Sequence, residues 1–344
     1  MLTLRDAMTN RELKKISLLA EVACDYYERR LNQDQIAERL CLSRTRVSRL
    51  LKEALDKKVV QFTINYTFER HFEMEERLKS RFSLKNALVL NNRIRNRENI
   101  QRDVGKLAAE YLMGNLKEDM IIGTSWGTTL ADTISFLQPI QIPIEVVQLV
   151  GAVSSKTPGC TPQEIAGKLA SILGGVTDFL HSPLFIEDNY ARNIIREDKN
   201  NAAVLEKGTF ADMVLTSVGD MAHIRENKFW QDYMTDALYK ELWEKGAIGS
   251  ILAHFYDRDG KVIDCIWNKR CVALKVEDLK EIPNVVVIAA SEFKAKAVLA
   301  AIRGGMVKTL ITDGTTATEI LRLNSDSPPK PAPRFVRGKS QKVR

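Results

Sequence analysis

The sequence predicts an α/β protein in two parts: an N-terminal winged helix-turn-helix, then a doubly wound, mostly parallel α/β domain. Three observations carry this. Apolar residues recur at helical spacing through the first 57 positions. From residue 87 onward, short apolar runs alternate with helical stretches, as strands buried on both faces do. The length of 344 residues, 44% of them hydrophobic, exceeds one ordinary domain and supplies material for two cores.

In order along the chain, residues 13–29 set Ile16, Leu19, Val22, Ala23 and Tyr26 on one face of an amphipathic helix. A second helix, 33–40, turns Ile36, Ala37 and Leu40 inward. Cys41-Leu42 makes a tight turn, and Ser43 stands where it can N-cap a third helix to Lys57. Val47, Leu50, Leu51 and Leu55 form that helix's buried stripe. VVQFTINY at 59–66 alternates and is β-branched, hence a strand or wing. Residues 72–82 read as a linking helix, 87–90 as a strand and 100–113 as a helix. Further strands are expected at 120–123, 144–149, 177–180, 213–218, 251–256, 285–289 and 309–312. The segment after Asn324, SDSPPKPAPRFVRGKSQKVR, has a disordered composition. The expected boundaries are 1–66, 67–324 and 325–344.

Charge is unevenly distributed. Of the net +7, residues 1–62 hold +4 (13 Lys and Arg against 9 Asp and Glu) and residues 325–344 hold +5 (six against one), leaving the body at −2. A basic N-terminal segment suits a nucleic-acid partner, and equally a solvated surface. No apolar run approaches the about 20 residues of a membrane span. The charged start MLTLRDAMTNRELKK lacks the apolar core of a signal peptide. A cytoplasmic protein is expected.

Within QDQIAERLCLSRTRVSRLLKEAL, a helix-turn-helix finds each part it needs. Gln33 is its first position, Ala37 the small residue at the helix crossing, and Val47 and Leu50 dock the second helix. Cys41 replaces the usual turn glycine. The outward face carries Ser43, Arg44, Thr45, Arg46, Ser48, Arg49 and Lys52. Arginine can bond guanine O6 and N7 in the major groove, whereas hydroxyls and lysine hold phosphates. Arg44, Thr45 and Arg49 are the base-reading candidates. The alternative is a helical hairpin with a solvated basic face.

In the body, IIGTSWGTT (121–129) follows a strand and opens a helix. Its glycines permit close backbone approach, and its hydroxyls and helix-start N–H groups could cradle an anion. It lacks the GK[ST] ending of a P-loop, and a plain strand-to-helix turn is the equal alternative. Five scattered cysteines show no CxxC pair, which suits reduced thiols. The nearest pair, Cys265 and Cys271, lies in a strand-like stretch without nearby histidines. His71, His181, His223 and His254 have no metal spacing, so no metal is expected. YDRDG at 256–260 reads as a turn. Trp230, Tyr233, Tyr239 and Trp243 have the spacing of a helical packing face.

These segments together resemble the SorC family of bacterial sugar-responsive transcriptional regulators. The resemblance rests on YYERRLNQDQIAERLCLSRTRVSRLL, IIGTSWGTTL, VVQLVGAV, GAIGSILAHFYDRDG, AASEFKAKAVLAAIRGG and LITDGTTA, in order over residues 13–321. It implies a helix-turn-helix before a domain similar to sugar-phosphate isomerases and deaminases. It also implies operator DNA and a phosphorylated sugar as partners, assembly as a homotetramer or homodimer, and no enzymatic activity, cofactor or membrane. It places the effector along Gly123, Ser125, Trp126, Gly127, Thr128 and Thr129, with Lys294 at the sugar or phosphate. Ser250 stands where the family usually has an acid that bonds sugar hydroxyls. Ser217-Val218-Gly219-Asp220 and Ala290-Ser291-Glu292 replace the family's GIG-like and AGG stretches. Independently, a lysine just past strand 285–289 sits where open α/β sheets bind ligands, or is a solvated helix-start lysine. The rival reading is a sugar-phosphate isomerase or deaminase with an accessory DNA-binding segment, but no general acid–base set is legible.

Overall fold

The computed structural model describes residues 10–57, 59–60, 69–91, 97–153, 158–227 and 229–325. The chain separates into two compact units, Met1–Thr67 and Phe68–Arg344. The expected strand at 59–66 and the basic tail fall almost wholly outside the described residues.

In the first unit, α1 (Asn10–Ala23) runs into a π-helical turn, Cys24–Glu28, followed by α2 (Gln33–Arg39) and α3 (Arg44–Asp56). The core is Leu19, Val22, Ala23, Ile36, Ala37, Val47, Leu50, Leu51 and Ala54. Two expectations are corrected here. A π turn takes one more residue than an α turn, which slips the side-chain register. Tyr26 is consequently exposed and Asp25 is fully buried. There Asp25 accepts hydrogen bonds from Arg39 Nε at 2.7 Å and Arg29 Nη1 at 2.9 Å. In α3, Ala54 rather than Leu55 completes the buried stripe. At about 100° per residue, Ala54 lies roughly 20° from Val47 around the helix and Leu55 roughly 80°.

The helix ends explain why these segments stop and start. Asn32 and Gln35 form a reciprocal capping box at α2. Ser43 Oγ accepts from the Arg46 N–H at 3.2 Å at the head of α3. Between them Cys41 has φ 51°, a left-handed conformation that favours glycine.

The second unit contains α4 (Phe72–Phe82), β1 (Asn86–Leu90), α5 (Arg97–Met113), β2 (Ile121–Thr124), α6 (Thr128–Ser135), β3 (Glu145–Gln148), α7 (Pro162–Leu173), β4 (Val176–Asp178), α8 (Asn189–Glu197) and α9 (Lys199–Thr209). It continues with β5 (Met213–Thr216), β6 (Gly219–Asp220), α10 (Asp236–Glu244), β7 (Gly249–Ile251), β8 (His254–Tyr256), α11 (Ile266–Arg270), β9 (Val285–Ile288), α12 (Ala295–Arg303), β10 (Thr309–Asp313) and α13 (Gly314–Ser325). Seven parallel strands form one sheet in the order β1-β10-β9-β5-β2-β3-β4. Both faces are covered. Leu88, Ile122, Val146, Met213 and Val286 pack with α5, α6 and α7, while Val89, Val147, Val214, Val285 and Leu310 pack with α9 and α12. Burial on both faces is why the strands read as unbroken apolar runs. Among the described residues no helix is long and apolar enough to cross a membrane.

The expected strand at 251–256 is also corrected. The chain folds back there as an antiparallel hairpin, β7 and β8, which joins β6 in a separate three-stranded sheet. Leu252 (φ 44°) and Ala253 (φ 65°) form its two-residue turn. Hairpin turns of this hand ordinarily use Asn-Gly or Asp-Gly, so Leu-Ala gave no turn signal.

Candidate functional site

Helix α3 of the first unit presents Ser43, Arg44, Thr45, Arg46, Ser48, Arg49 and Lys52 to solvent. The residues that hold it, Val47, Leu50, Leu51 and Ala54, face the core. Gln33, at the start of α2, is half-buried. Arg44 Nε lies 3.7 Å from Asp34 Oδ1 with both side chains 70% exposed, a contact too loose and wet to immobilise the arginine. The result is a cationic helix face with hydroxyls at its N-terminal end, suited in size and chemistry to a major groove.

In the second unit the sheet order sets the site. From β2 the chain proceeds through β3 and β4 on one side, and β5 and β9 lie on the other. Where strand order reverses, the loops leaving β2 and β5 diverge and open a crevice at their carboxyl ends. Ser125, Trp126, Gly127, Thr128 and Thr129, after β2, line this pocket together with Ser217, Val218 and Gly219, after β5. Ser250, Leu252 and Ala253 of the hairpin, with Asn227, Trp230 and Lys294, complete it. Seven of the eight effector residues expected from sequence therefore converge. Gly123 does not: a Cβ there would meet Leu149 Cδ1 at 2.6 Å and Val214 Cγ2 at 3.0 Å, so this glycine serves strand packing.

The β2–α6 turn keeps its polar groups available. Gly127 adopts φ 127° and ψ 162° at the N-cap of α6, supplies no capping side chain, and a Cβ built there would meet nothing within 4 Å. The first N–H groups of α6 consequently face the pocket without a side-chain cap. Ser125 is buried, its Oγ 3.0 Å from Thr216 Oγ1, which ties the β2 loop to the β5 end. Trp126 stacks on Phe229 at 4.6 Å and lies 6.3 Å from Trp230. Trp230 is thus a pocket wall outside any helix, and α10 begins only at Asp236. The packing role expected for Trp230 holds, since it is buried in the core beside Phe255 and Trp267, but its placement on a helix is corrected.

Lys294 ends a short 3-10 turn between β9 and α12. Its ammonium makes no hydrogen bond or ion pair among the described residues. Burial lowers its pKa from 10.5 to about 8, with the Asp220 charge opposing. Asp220 itself is 2.7 Å from His223 Nδ1, and His223 packs on Phe293. Neither Asp220 nor His223 lines the pocket, where Lys294 is the ionisable side chain among the described lining residues. Just before it, Ser291 has φ 99°, a value that suits the glycine it replaces in the AGG pattern.

Beyond the expected site residues, the pocket is lined by Ser217, Val218, Gly219, Asn227, Trp230, Leu252 and Ala253, none of them assigned to it from sequence. Ser217 could have been inferred from its place after a strand, had the strand order been readable. Asn227 sits in a turn segment with no motif. Cys271 is also re-read: it does have a histidine nearby, His254 Nε2 at 3.4 Å, and α11 rather than a strand separates it from Cys265. The YDRDG segment is the expected turn, with Asp257 Oδ1 accepting from the N–H groups of Asp259 and Lys261.

Comparison with known proteins agrees with this architecture. Residues 66–322 match the sugar-binding domain model Sugar-bind, and residues 20–57 match region 4 of sigma-70. The deoxyribonucleoside regulator of Bacillus subtilis is 28% identical over 315 residues, covering 91% of this chain and 99% of that protein. The sorbitol operon regulator of Klebsiella pneumoniae is 26% identical over 310 residues, 89% of this chain and 98% of that protein. The crystal structure of full-length SorC from Klebsiella pneumoniae superimposes with a TM-score of 0.68 at 25% identity, covering 90% of this chain and 99% of that one. Helix-turn-helix, switch-point pocket and near end-to-end similarity together assign the chain: it belongs to the SorC family of sugar-binding transcriptional regulators.

Proposed function

We propose that the protein binds operator DNA through α3 and that a phosphorylated sugar in the switch-point pocket controls this binding. The observation that carries the effector half is Lys294, a half-buried residue whose ammonium has no ion-pair partner among the described residues, sharing a pocket with the uncapped start of α6 and the hydroxyls of Ser125, Thr128, Thr129 and Ser250. Such a pocket has excess positive potential and abundant hydroxyl partners, the complement of a phosphate on a polyol. Trp126, half-buried and backed by Phe229 and Trp230, supplies an aromatic surface for the apolar side of a sugar ring. With Ser250 in place of an acid, the hydroxyl contacts of the effector differ from those of relatives that carry a carboxylate there.

In the first unit, Arg44, Thr45 and Arg49 read base edges, while Ser43, Arg46, Ser48 and Lys52 hold phosphates and Gln33 flanks them. The two activities are linked thermodynamically. An effector that prefers one arrangement of the assembled protein shifts the population toward it and changes operator affinity by the same factor that DNA changes effector affinity. One helix-turn-helix makes few base contacts, so a dimer or tetramer reading paired half-sites completes the mechanism. Light scattering at micromolar concentration should show at least a dimer.

The pocket favours binding over catalysis. Isomerisation needs a carboxylate or imidazole over the substrate carbon, and the described lining residues offer neither. The deciding experiment titrates operator binding against phosphorylated sugars, comparing parent, Thr128→Val and Lys294→Ala. Effector response should weaken by about 1–3 kcal/mol in Thr128→Val, where a charged partner loses its hydroxyl, and fade in Lys294→Ala, with effector-free operator affinity unchanged. A Lys294→Ala protein that responds at the parent's effector concentration, or turnover of a phosphosugar by the parent, sinks the reading.

A further inference from the structure

Behind the pocket lies a buried pair that the proposed function does not use. Cys271 Sγ is 3.4 Å from His254 Nε2, and both residues are buried. The arrangement has the outline of a thiol–imidazole catalytic dyad, but its electrostatics run the other way. Burial pushes the thiol up to about 12 and the imidazole down to about 4, so the thiolate–imidazolium form is disfavoured at both ends. Neither side chain lines the pocket.

What the pair does touch is the strained turn. His254 Nδ1 is 2.8 Å from the Leu252 carbonyl oxygen, which can only accept, so Nδ1 carries the proton. Nε2 is then a lone-pair acceptor beside Cys271 Sγ at 3.4 Å, the nearer of the thiol's two acceptors, the other being the Asn268 carbonyl at 3.7 Å. Next to it, Trp267 Nε1–H donates to the Ala253 carbonyl at 2.7 Å. Asn268 clasps the following strand, accepting from the Phe255 N–H and donating to the Phe255 carbonyl, each at 2.9 Å. The far side of Cys271 is fixed too, its carbonyl accepting from Arg192 Nη2 of α8 at 3.0 Å. The carbonyls of both left-handed residues are therefore held by side chains that lie outside the pocket. Leu252 and Ala253 themselves form its wall beside Ser250.

We propose that His254, oriented by Cys271, is a positioning residue for effector binding: it latches the left-handed Leu252–Ala253 turn in the shape that closes one wall of the pocket. The inference rests on the reading of this pocket as the effector site. Two non-glycine residues in left-handed conformation persist only where their surroundings over-determine them. Here the surroundings are the two carbonyl-directed N–H donors. Losing the His254 bond frees the turn to relax and leaves Ser250, Leu252 and Ala253 misplaced by the small amounts that matter to a bound ligand.

The test uses the full-length protein, inorganic phosphate as the probe, and hydrogen exchange across residues 249–256 as a ligand-free readout. His254→Leu removes the donor. His254→Asn keeps an N–H near the Nδ1 position, and Cys271→Ala removes the group behind the ring. In His254→Leu, exchange in 249–256 should accelerate and the phosphate midpoint should rise by about tenfold each, the scale of one buried hydrogen bond. His254→Asn should stay within about threefold of the parent on both, and Cys271→Ala should fall between them. Should the leucine variant fail to fold, His254→Gln replaces it, since its carboxamide reaches the Nε2 position and misses Leu252. Parent-like exchange in His254→Leu or His254→Gln, or equal effects of those variants and His254→Asn, overturns the latch. Lys294→Ala runs alongside. If it binds phosphate as the parent does, or if the parent does not bind it, the pocket reading is what fails, and the exchange comparison alone decides the latch.

Discussion

Replacing Lys294 with methionine should make the effector-free protein more stable while destroying its response. The ammonium ionises at about 8 in the folded chain against 10.5 when solvated. At neutral pH, holding it charged in that pocket costs about 3 kcal/mol relative to the unfolded chain, an upper bound because a half-buried lysine recovers some hydration. Methionine keeps the length of the stem without the charge, so Lys294→Met should gain about 1–3 kcal/mol at pH 7. The pH dependence gives the sign. Because the folded value is lowered, the unfolded state binds more protons between about 8 and 10.5, and the parent's stability from this group rises with pH across that window. The advantage of Lys294→Met should be full below pH 8 and shrink steadily toward pH 10.5. Urea unfolding of parent and variant in parallel, at several pH values without effector, measures the difference with the other titrating groups cancelled. A variant less stable than the parent at pH 7, or an advantage independent of pH, would refute the account of Lys294 as a desolvated, unpaired cation held for a ligand.

Other consequences are equally open to measurement. Cys41→Gly should stabilise the first unit by about 0.5–1 kcal/mol, because glycine relieves the left-handed strain at φ 51° and gives back part of that gain in chain entropy; a lower melting temperature would contradict this. Asp25→Ala should destabilise the same unit by about 2–3 kcal/mol in chemical denaturation, less than for a fully enclosed ion pair, since Arg29 and Arg39 are 59% and 38% exposed and can regain water. Arg49→Ala should cost about 1–3 kcal/mol on the cognate operator and relax specificity at one base pair. Lys52→Ala should weaken all sequences alike and reduce the salt slope by about one. Parent-like discrimination in Arg49→Ala would remove that arginine from base reading.

Local information was enough for the helix-turn-helix. Its helices carry their own caps at Asn32 and Ser43, and the stripe Val47, Leu50, Leu51 follows from helical periodicity alone. The errors at Tyr26 and Leu55 are register errors of one residue. The first arises from a π turn that no periodicity announces, the second from a stripe narrower than hydrophobicity suggests. In the body, Val- and Ile-rich runs marked most of the parallel strands, because strands buried on both faces must be apolar throughout. The hairpin at 249–256 escaped notice for the converse reason: Leu252 and Ala253 hold a turn their side chains do not favour, sustained by His254 and Trp267 from elsewhere in the chain.

The sequence by itself determined the fold class and the cationic face of α3, and it marked Ser125–Thr129 as a strand-to-helix turn, since each depends on residues within a few positions of one another. Tertiary structure decided the rest. Only the strand order β5-β2-β3 puts the loop after β2 beside Ser217, and only the fold brings Lys294, Trp230 and the hairpin turn to the same crevice. It also turned Gly123 from an expected site residue into a packing residue, by placing Leu149 and Val214 where a side chain would go. A pocket is a property of which chain ends meet across a sheet. That depends on long-range packing, for which the spacing of residues along the chain carries no signal.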